Sequence, residues 1–308
     1  MTLKIPSSEP LPFTMKAGLH NLERYEYDQI DAINYSWLKN FDVPQAAKWM
    51  KDNPGEGDTD ALEFGRWYHH RILQPKIFED LYACKVVSWT HGGGHLKKTA
   101  TTSTNDGALN RIERATWDSA NSGKQIIPAD KWLQLHNMRD VLMADPVAGS
   151  IFSFPGSLRE QTCISQLPDG TWLKSQIDII LELTADEAQA MFRLPGLPGG
   201  IWLGDLKTAR SANPFTRQWF YSVRDYKYKQ QLSFYKENYQ RATGVAVAGA
   251  FLCPQDKYGG FTPCTYLASE RDLEAGWLFC EKMLKAKAEC EQQQKWPGYA
   301  ETALWLPE

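Results

Sequence analysis

Thr171-Trp172-Leu173-Lys174-Ser175-Gln176-Ile177-Asp178-Ile179-Ile180-Leu181-Glu182-Leu183, with Ile201-Trp202-Leu203-Gly204-Asp205-Leu206-Lys207 after a Pro/Gly-rich interval, decides how this chain is read. Both runs are largely apolar, the first rich in Ile, and are bounded by turn residues, as strands are. Ahead of them Leu158 to Leu167 is a matching extended run, joined to Thr171 by Pro168-Asp169-Gly170, a strong tight-turn signal. A β-hairpin followed by a third strand, Ile201 to Lys207, is therefore predicted.

The charges on these strands carry chemistry. Side chains two apart on a strand share a face, so Asp205 and Lys207 point to the same side. Phosphodiester hydrolysis needs a hard divalent cation, and Mg²⁺ is held by one or two carboxylates together with substrate oxygens and waters. Asp178 and Asp205 supply such carboxylates, and Lys207 beside them is placed to orient a water and stabilise charge developing on the phosphate. Mg²⁺ is the cofactor expected, with Mn²⁺ as a substitute. An isolated Asp-x-Lys is ordinarily a surface salt bridge. Here the strand is otherwise apolar, an acidic strand precedes it and a Gln-containing helix follows, which favours a site.

The rest of the chain reads mainly as helix. Asn34 caps a short helix to Leu38, Pro44 opens another to about Lys51, and a longer one is predicted from Asp60 to Leu73, ended by Gln74-Pro75. Residues 88–122, rich in Gly, Thr, Ser and Asn, read as a mobile, partly basic loop. Pro128 opens a helix from Ala129 to about Met143. After the third strand, Asn213-Pro214 starts a helix towards Tyr221, and another runs from about Tyr226 to Arg241. A strand then covers Val245 to Cys253, an edge strand lies near Thr262 to Leu267, and Ser269-x-x-Asp272 has the form of a capping box for a last helix to about Gln294. The expected class is α/β, a central mixed sheet flanked by helices with N-terminal helical additions. One domain is expected over 1–308, mainly helical in 1–150 and holding the sheet in 151–308.

Composition narrows the setting. With 34 Lys and Arg against 37 Asp and Glu the net charge is −3, so phosphate binding must come from a local basic surface. The hydrophobic share of 43% fits neither a disordered nor a collagen-like chain. No apolar run reaches the roughly 18 residues that span a bilayer, and no membrane association is expected. Pro and Glu interrupt Met1 to Pro12 where a signal peptide needs an apolar core, which leads us to expect a cytoplasmic protein. The six cysteines contain no C-x-x-C pair, so neither a zinc site nor an iron-sulfur cluster is expected.

An ordered set of motifs then makes a family resemblance specific. Asn34-Tyr35-Ser36-Trp37-Leu38-Lys39, Ala61-Leu62-Glu63-Phe64-Gly65-Arg66-Trp67-Tyr68-His69, Gly123-Lys124-Gln125-Ile126-Ile127, Lys174-Ser175-Gln176-Ile177-Asp178, Gly204-Asp205-Leu206-Lys207-Thr208, Tyr228-x-x-Gln231-x-x-x-Tyr235 and Trp296-Pro297-Gly298-Tyr299 follow one another along most of the chain. In this the chain resembles the RecE-type (exodeoxyribonuclease VIII-like) exonucleases of the PD-(D/E)XK nuclease superfamily, related to lambda exonuclease and RecB nuclease domains. The resemblance implies a restriction-endonuclease-like core. It makes His69, Asp178 and Asp205 metal-site residues, Lys207 the catalytic lysine, and Gln231 and Tyr235 the Q-x-x-x-Y pair lining the site, one helical turn apart. Glu160 falls where relatives often carry an acid. It also implies a processive 5′-to-3′ exonuclease on double-stranded DNA ends that leaves 3′ overhangs for an annealing protein or recombinase. Such relatives work as homo-oligomeric rings, for which a tetramer is favoured and a trimer is the alternative.

Without the family, His69 reads first as a packed helix histidine, Gln231 and Tyr235 equally as helix surface or core edge, and Glu160 as a solvated strand carboxylate. Candidate phosphate contacts are Arg66, Lys97, Lys98, Arg210, Arg217, Arg224, Lys227 and Lys229, each of which also fits a solvated helix face. The aromatics Phe215, Trp219, Phe220, Tyr221, Tyr226 and Tyr228 read mostly as core, with room for one ring to stack on a base. Asp205 stands where many of the superfamily carry Glu, and Thr184 to Gly200 is an insert between the two acids. A RecB- or Cas4-like nuclease, an endonuclease on the same fold, or an inactive DNA-binding phage protein are the competing readings, the Cas4-like one calling for a four-cysteine cluster that the sequence lacks. The intact Asp178, Asp205 and Lys207 argue against the last.

Overall fold

In the computed structural model, which describes residues 16–53, 59–85, 90–91, 94–95 and 114–299, the hairpin and third strand form the middle of a six-stranded sheet. The chain begins with β1 (Gly18–His20), α1 (Arg24–Gln29), α2 (Tyr35–Leu38), α3 (Pro44–Asp52), α4 (Asp60–Leu73), α5 (Pro75–Leu81) and β2 (Tyr82–Cys84). A small hairpin, β3 (Thr90–His91) with β4 (Gly94–His95), is followed by α6 (114–120), β5 (Gln125–Ile127), α7 (Ala129–Ala144) and α8 (Ala148–Phe152). The second half runs β6 (Leu158–Gln166), β7 (Trp172–Leu183), α9 (Ala185–Phe192), β8 (Gly200–Ala209), α10 (Arg217–Asp225), α11 (Tyr228–Thr243), β9 (Val247–Asp256), β10 (Tyr266–Leu267) and α12 (Glu270–Gln293). Strand order in the large sheet is β1-β6-β7-β8-β9-β10, antiparallel throughout except for the parallel pair β8 and β9. It is a mixed α/β architecture.

Local chemistry accounts for the centre. Gly170 takes φ +89°, its N–H donates to Leu167 O at 2.9 Å, and the Asp169 carboxylate accepts from Thr171 N at 2.9 Å, which closes the β6–β7 turn. Alternate residues of β8 then enter opposite cores: Ile201 and Leu203 pack with Leu232, Phe234 and Leu273 on the α11/α12 face, while Trp202 and Leu206 pack with Tyr68, Leu135 and Phe192 on the other. Gly204 has no room for a side chain, because a methyl there would overlap Phe251 and Ile179 on the flanking strands. In β7 the two-residue alternation fails at Asp178. Ile177 and Ile180 share one core, whereas Ile179 and Leu181 lie in the other. The partner strand is irregular at the same level, where Glu160 has φ +50° and pairing passes from Arg159↔Ile179 to Gln161↔Ile177.

Several expectations are corrected. Gln74-Pro75 ends α4 but Pro75 at once starts α5, because a proline needs no N–H at a helix's first position. The 184–200 insert contains α9, nucleated by a reciprocal capping box between Thr184 and Glu187. Asn213-Pro214 does not start α10: the Asn213 side chain accepts from Phe215 N at 2.8 Å, which makes a turn, and the helix begins at Arg217. The edge strand shrinks to Tyr266–Leu267 plus a bridge from Pro263 to Gln255. β1 and the parallel pair β2/β5 were not anticipated; each strand is three residues long, too short for periodicity to reveal. Of the predicted 88–122 loop, β3, β4 and residues 114–122 are described, and Lys97 and Lys98 lie outside the described residues.

Candidate active site

The site is built where β6, β7 and β8 lie side by side and α4 and α11 approach them. Thr59 caps α4, whose buried Phe64, Trp67, Tyr68 and Ile72 fix its rotation. The Tyr68 hydroxyl donates to Gln255 on β9, and the Gln255 amide donates in turn to Met138 O at 2.8 Å. This pins α4 against the sheet with His69 directed at β8. His69 Nε2 lies 2.9 Å from Leu206 O and Asp178 Oδ2 accepts from Leu206 N at 2.6 Å. The peptide groups of the residue between Asp205 and Lys207 are thereby held on both sides by site residues.

With Nε2 donating to a carbonyl, His69 turns Nδ1 towards two acids, 3.5 Å from Glu160 Oε1 and 3.8 Å from Asp178 Oδ1. One ligand atom from each of His69, Glu160 and Asp178 lies within 4.8 Å of the others. An imidazole fixed by a backbone carbonyl and facing two carboxylates is a usual metal-ligand arrangement. Asp205 stands beside this trio and faces its own partners, Lys207 Nζ at 2.6 Å and the Gln231 amide at 3.1 Å. Gln231 also donates to the Tyr235 hydroxyl at 2.6 Å, one turn along α11. Of the residues predicted for the site, His69, Glu160, Asp178, Asp205, Lys207, Gln231 and Tyr235 all converge.

Glu160 is a correction to the reading of the residues taken alone: it is buried, not solvated. Counting back from the turn, with Gln166 opposite Trp172, would have set it across from Asp178. Two acids facing each other across a strand pair repel, and that is itself a sign of a site.

Electrostatics show what the cluster lacks. Three buried or nearly buried carboxylates face two cations, Lys207 and His69. Burial raises the Asp178 carboxyl above the usual range, and burial with only partial relief from Lys207 raises Asp205 to about 6. Burial would push His69 down, but Asp178 and Glu160 outweigh it and raise the imidazole to about 9. Lys207 likewise rises above the usual lysine range, because Asp205 and Asp178 outweigh its burial. Asp205 Oδ2 is buried, with Lys207 Nζ 2.6 Å away as its partner. A buried site with three carboxylates against one lysine and one histidine fits a bound divalent cation, and an oxygen-rich donor set with one imidazole suits a hard one.

The candidate phosphate contacts divide. Arg66, Arg210 and Arg217 are exposed, the first a turn before His69 and the others just beyond β8. Lys227 instead donates to Asp42 at 2.6 Å and Lys39 O at 2.8 Å, and Lys229 donates to Asp272 at 2.7 Å, so both tie helices together. Lys39 was not singled out from the sequence. It is half-buried, and burial, then Lys227 and Lys207, hold its ammonium below the usual range, which puts it beside the site as a cation without an acid partner among the described residues.

Among the described residues no helix is long and apolar enough to cross a membrane. No family model matches the sequence, and no curated protein matches it. Among solved structures, the chain is similar to a protein from Eubacterium rectale named "Putative exonuclease", with a TM-score of 0.54 and 12% identity over 94% of this chain and 96% of that one. A second, named SSO0001, overlaps 60% of this chain and 72% of its own at 13% identity, with a TM-score of 0.27 too low to bear on the fold. The first likeness, covering both chains almost end to end, shows a shared fold: a six-stranded mixed sheet flanked by helices.

Proposed function

We propose that this chain is a divalent-cation-dependent deoxyribonuclease with a PD-(D/E)XK core, acting as a processive 5′-to-3′ exonuclease on the ends of linear double-stranded DNA. It would leave 3′ overhangs for an annealing protein or recombinase. The observation that carries the reading is the meeting of Asp178, Asp205 and Lys207 from adjacent strands with Glu160 and His69 around one buried, over-charged point. The fold likeness to a protein named as an exonuclease agrees with it.

Asp178, Asp205, Glu160 and His69 would hold the cation, Mg²⁺ or Mn²⁺, which when bound polarises the scissile phosphate and acidifies the attacking water. Lys207 keeps its proton beside Asp205, so it acts as a donor and a fixed positive charge for the phosphate rather than as a base. Gln231 steadies Asp205 and is steadied by Tyr235. Arg66, Arg210, Arg217 and Lys39 would contact the backbone. A ring of copies, a tetramer before a trimer, would give processivity by encircling the duplex.

The test is hydrolysis of 5′- or 3′-labelled linear duplex and of covalently closed circles with Mg²⁺, by wild type and Lys207→Ala. Loss of label from the 5′ end of the linear substrate, sparing of the circle and a nearly silent variant are expected. Digestion of the circle overturns the exonuclease assignment, and full activity of Lys207→Ala overturns the site.

A further inference from the structure

The aromatic residues after β8 were read from the sequence mostly as core, and the structure contradicts this: Phe215 is 94% exposed, Phe220 63%, Tyr226 56% and Tyr221 50%. Helical spacing shows how they are arranged. In α10, Trp219 and Val223, four residues apart, face the core, where the Trp219 ring stacks on Tyr266 at 5.1 Å and Tyr228 at 6.1 Å. Arg217, Phe220, Tyr221 and Arg224 fall at i, i+3, i+4 and i+7, which is a second stripe, pointing outward. The outer stripe of a soluble helix is ordinarily polar. This one sets two rings between two arginines, with the Arg224 guanidinium 5.0 Å from the Tyr221 ring centre and its Nε donating to Asp225 Oδ1 at 2.8 Å.

The stripe is firmly mounted close to the proposed site. The segment before α10 is held by Asp256 accepting from Ala212 N and by the Tyr266 hydroxyl donating to Ala212 O at 2.5 Å. At the other end of the helix, the Tyr226 ring lies tilted against Tyr228 with centres 5.6 Å apart, and Tyr228 opens α11, the helix whose Gln231 holds Asp205. Arg210 and Arg217 have no acid partner among the described residues.

We propose that the outer face of α10, Arg217, Phe220, Tyr221 and Arg224 with Phe215 beside it, is a binding surface for single-stranded DNA, its rings stacking on unpaired bases and its guanidinium groups holding the backbone. This deepens, and rests on, the nuclease reading: an enzyme that degrades one strand of a duplex must handle unpaired bases next to the scissile bond. A stacked ring is indifferent to base identity because every base offers a π-face, and cations beside it hold phosphates without reading sequence. A second copy of the chain could also cover an aromatic stripe, but Arg217 and the nearby Arg210, exposed and without an acid partner among the described residues, favour a polyanion.

The experiment measures binding of a fluorescent oligothymidylate of about 15 nucleotides by anisotropy, with EDTA present so that nothing is cut. Wild type, Phe220→Ala/Tyr221→Ala, Phe220→Trp/Tyr221→Trp and Arg217→Gln/Arg224→Gln are compared, with thermal melts and sedimentation for each. The alanine pair should weaken binding at least about tenfold at an unchanged melting temperature, the tryptophan pair should retain it, and the glutamine pair should flatten its salt dependence. Unchanged affinity in the alanine pair overturns the proposal. So does a fall in particle mass without loss of DNA binding, which would make the stripe a contact between copies. The nuclease reading fails separately: a wild type that binds the oligonucleotide through this stripe but cuts no DNA with Mg²⁺ would keep the binding surface and lose the enzyme.

Discussion

β6 and β7 bury polar groups twice, and the two places are built on opposite terms. Near the hairpin turn, Asn238 from α11 accepts from Ser165 Oγ at 2.6 Å and donates to Cys163 O at 3.0 Å and Ser175 Oγ at 2.8 Å. Next to it the Lys174 ammonium donates to Tyr27 O and Ile30 O, both at 2.8 Å, and lies 4.5 Å from the Tyr27 ring centre. That network is saturated. Further along, Glu160 and Asp178 on these strands and Asp205 on β8 are packed together with more negative charge than Lys207 and His69 neutralise. Buried charges are normally paired. An over-charged cluster costs stability, and it is the one that has chemistry to do.

The largest effect should come from breaking the second place. Lys207→Ala should lower kcat/KM by about 10²–10³-fold, the usual loss for one preorganised charge at a reacting phosphate or carbonyl. Asp205→Asn should be comparably inactive, since it removes a carboxylate placed to hold the cation and breaks its ion pair with Lys207. Breaking the first place should do the reverse. Asn238→Ala strands two serine hydroxyls and a carbonyl and should cost about 2–3 kcal/mol of stability, read from the urea midpoint, with turnover per folded molecule unchanged. If Asn238→Ala abolishes hydrolysis in fully folded protein, the division between the two places is wrong. A smaller effect separates contact from support within the site: Gln231→Ala, which leaves Asp205 its lysine, should lose about tenfold in activity, with Gln231→Glu no better because it adds a fourth acid.

Much of this was legible in the sequence, for reasons that differ by residue. The hairpin, β8 and α4 carry their own periodicity and turn or cap chemistry, so their positions needed nothing from the rest of the chain. Asp205 and Lys207 could be paired from strand alternation alone. Asp178 could be assigned to the site but not its backbone irregularity, since the break in alternation depends on Glu160 adopting a positive φ across from it. His69 and Gln231 were placed by resemblance only, because a helix's distance from a sheet is set by packing. The outward stripe of α10 was hidden for the opposite reason: aromatic residues ordinarily mean core, and only Trp219 and Tyr228 obey. Lys227 and Lys229 were read as free cations because their partners, Asp42 and Asp272, lie far away along the chain.

The smallest predicted effect tests the over-charged cluster most directly, through its proton uptake. In the metal-free protein His69 titrates near 9, above the 6.5 of a free imidazole. A folded-state value raised in this way contributes stability that is complete below about pH 6.5 and is lost as pH rises through 9. Asp205, raised from 3.8 to about 6, acts in the same direction at lower pH, so the metal-free melting temperature should fall as pH rises from 6.5 to 9. The fall should be a few degrees and should largely vanish in His69→Gln. Added Mg²⁺ should act with the opposite slope, since a cation and the His69 proton compete for one place and metal binding releases the proton. The rise in melting temperature produced by saturating Mg²⁺ should therefore grow across that same window in wild type and stay flat in His69→Gln. A metal-induced shift that is independent of pH in the wild type would remove His69 from the cation site, leaving it as the packed helix histidine that its position on α4 also allows.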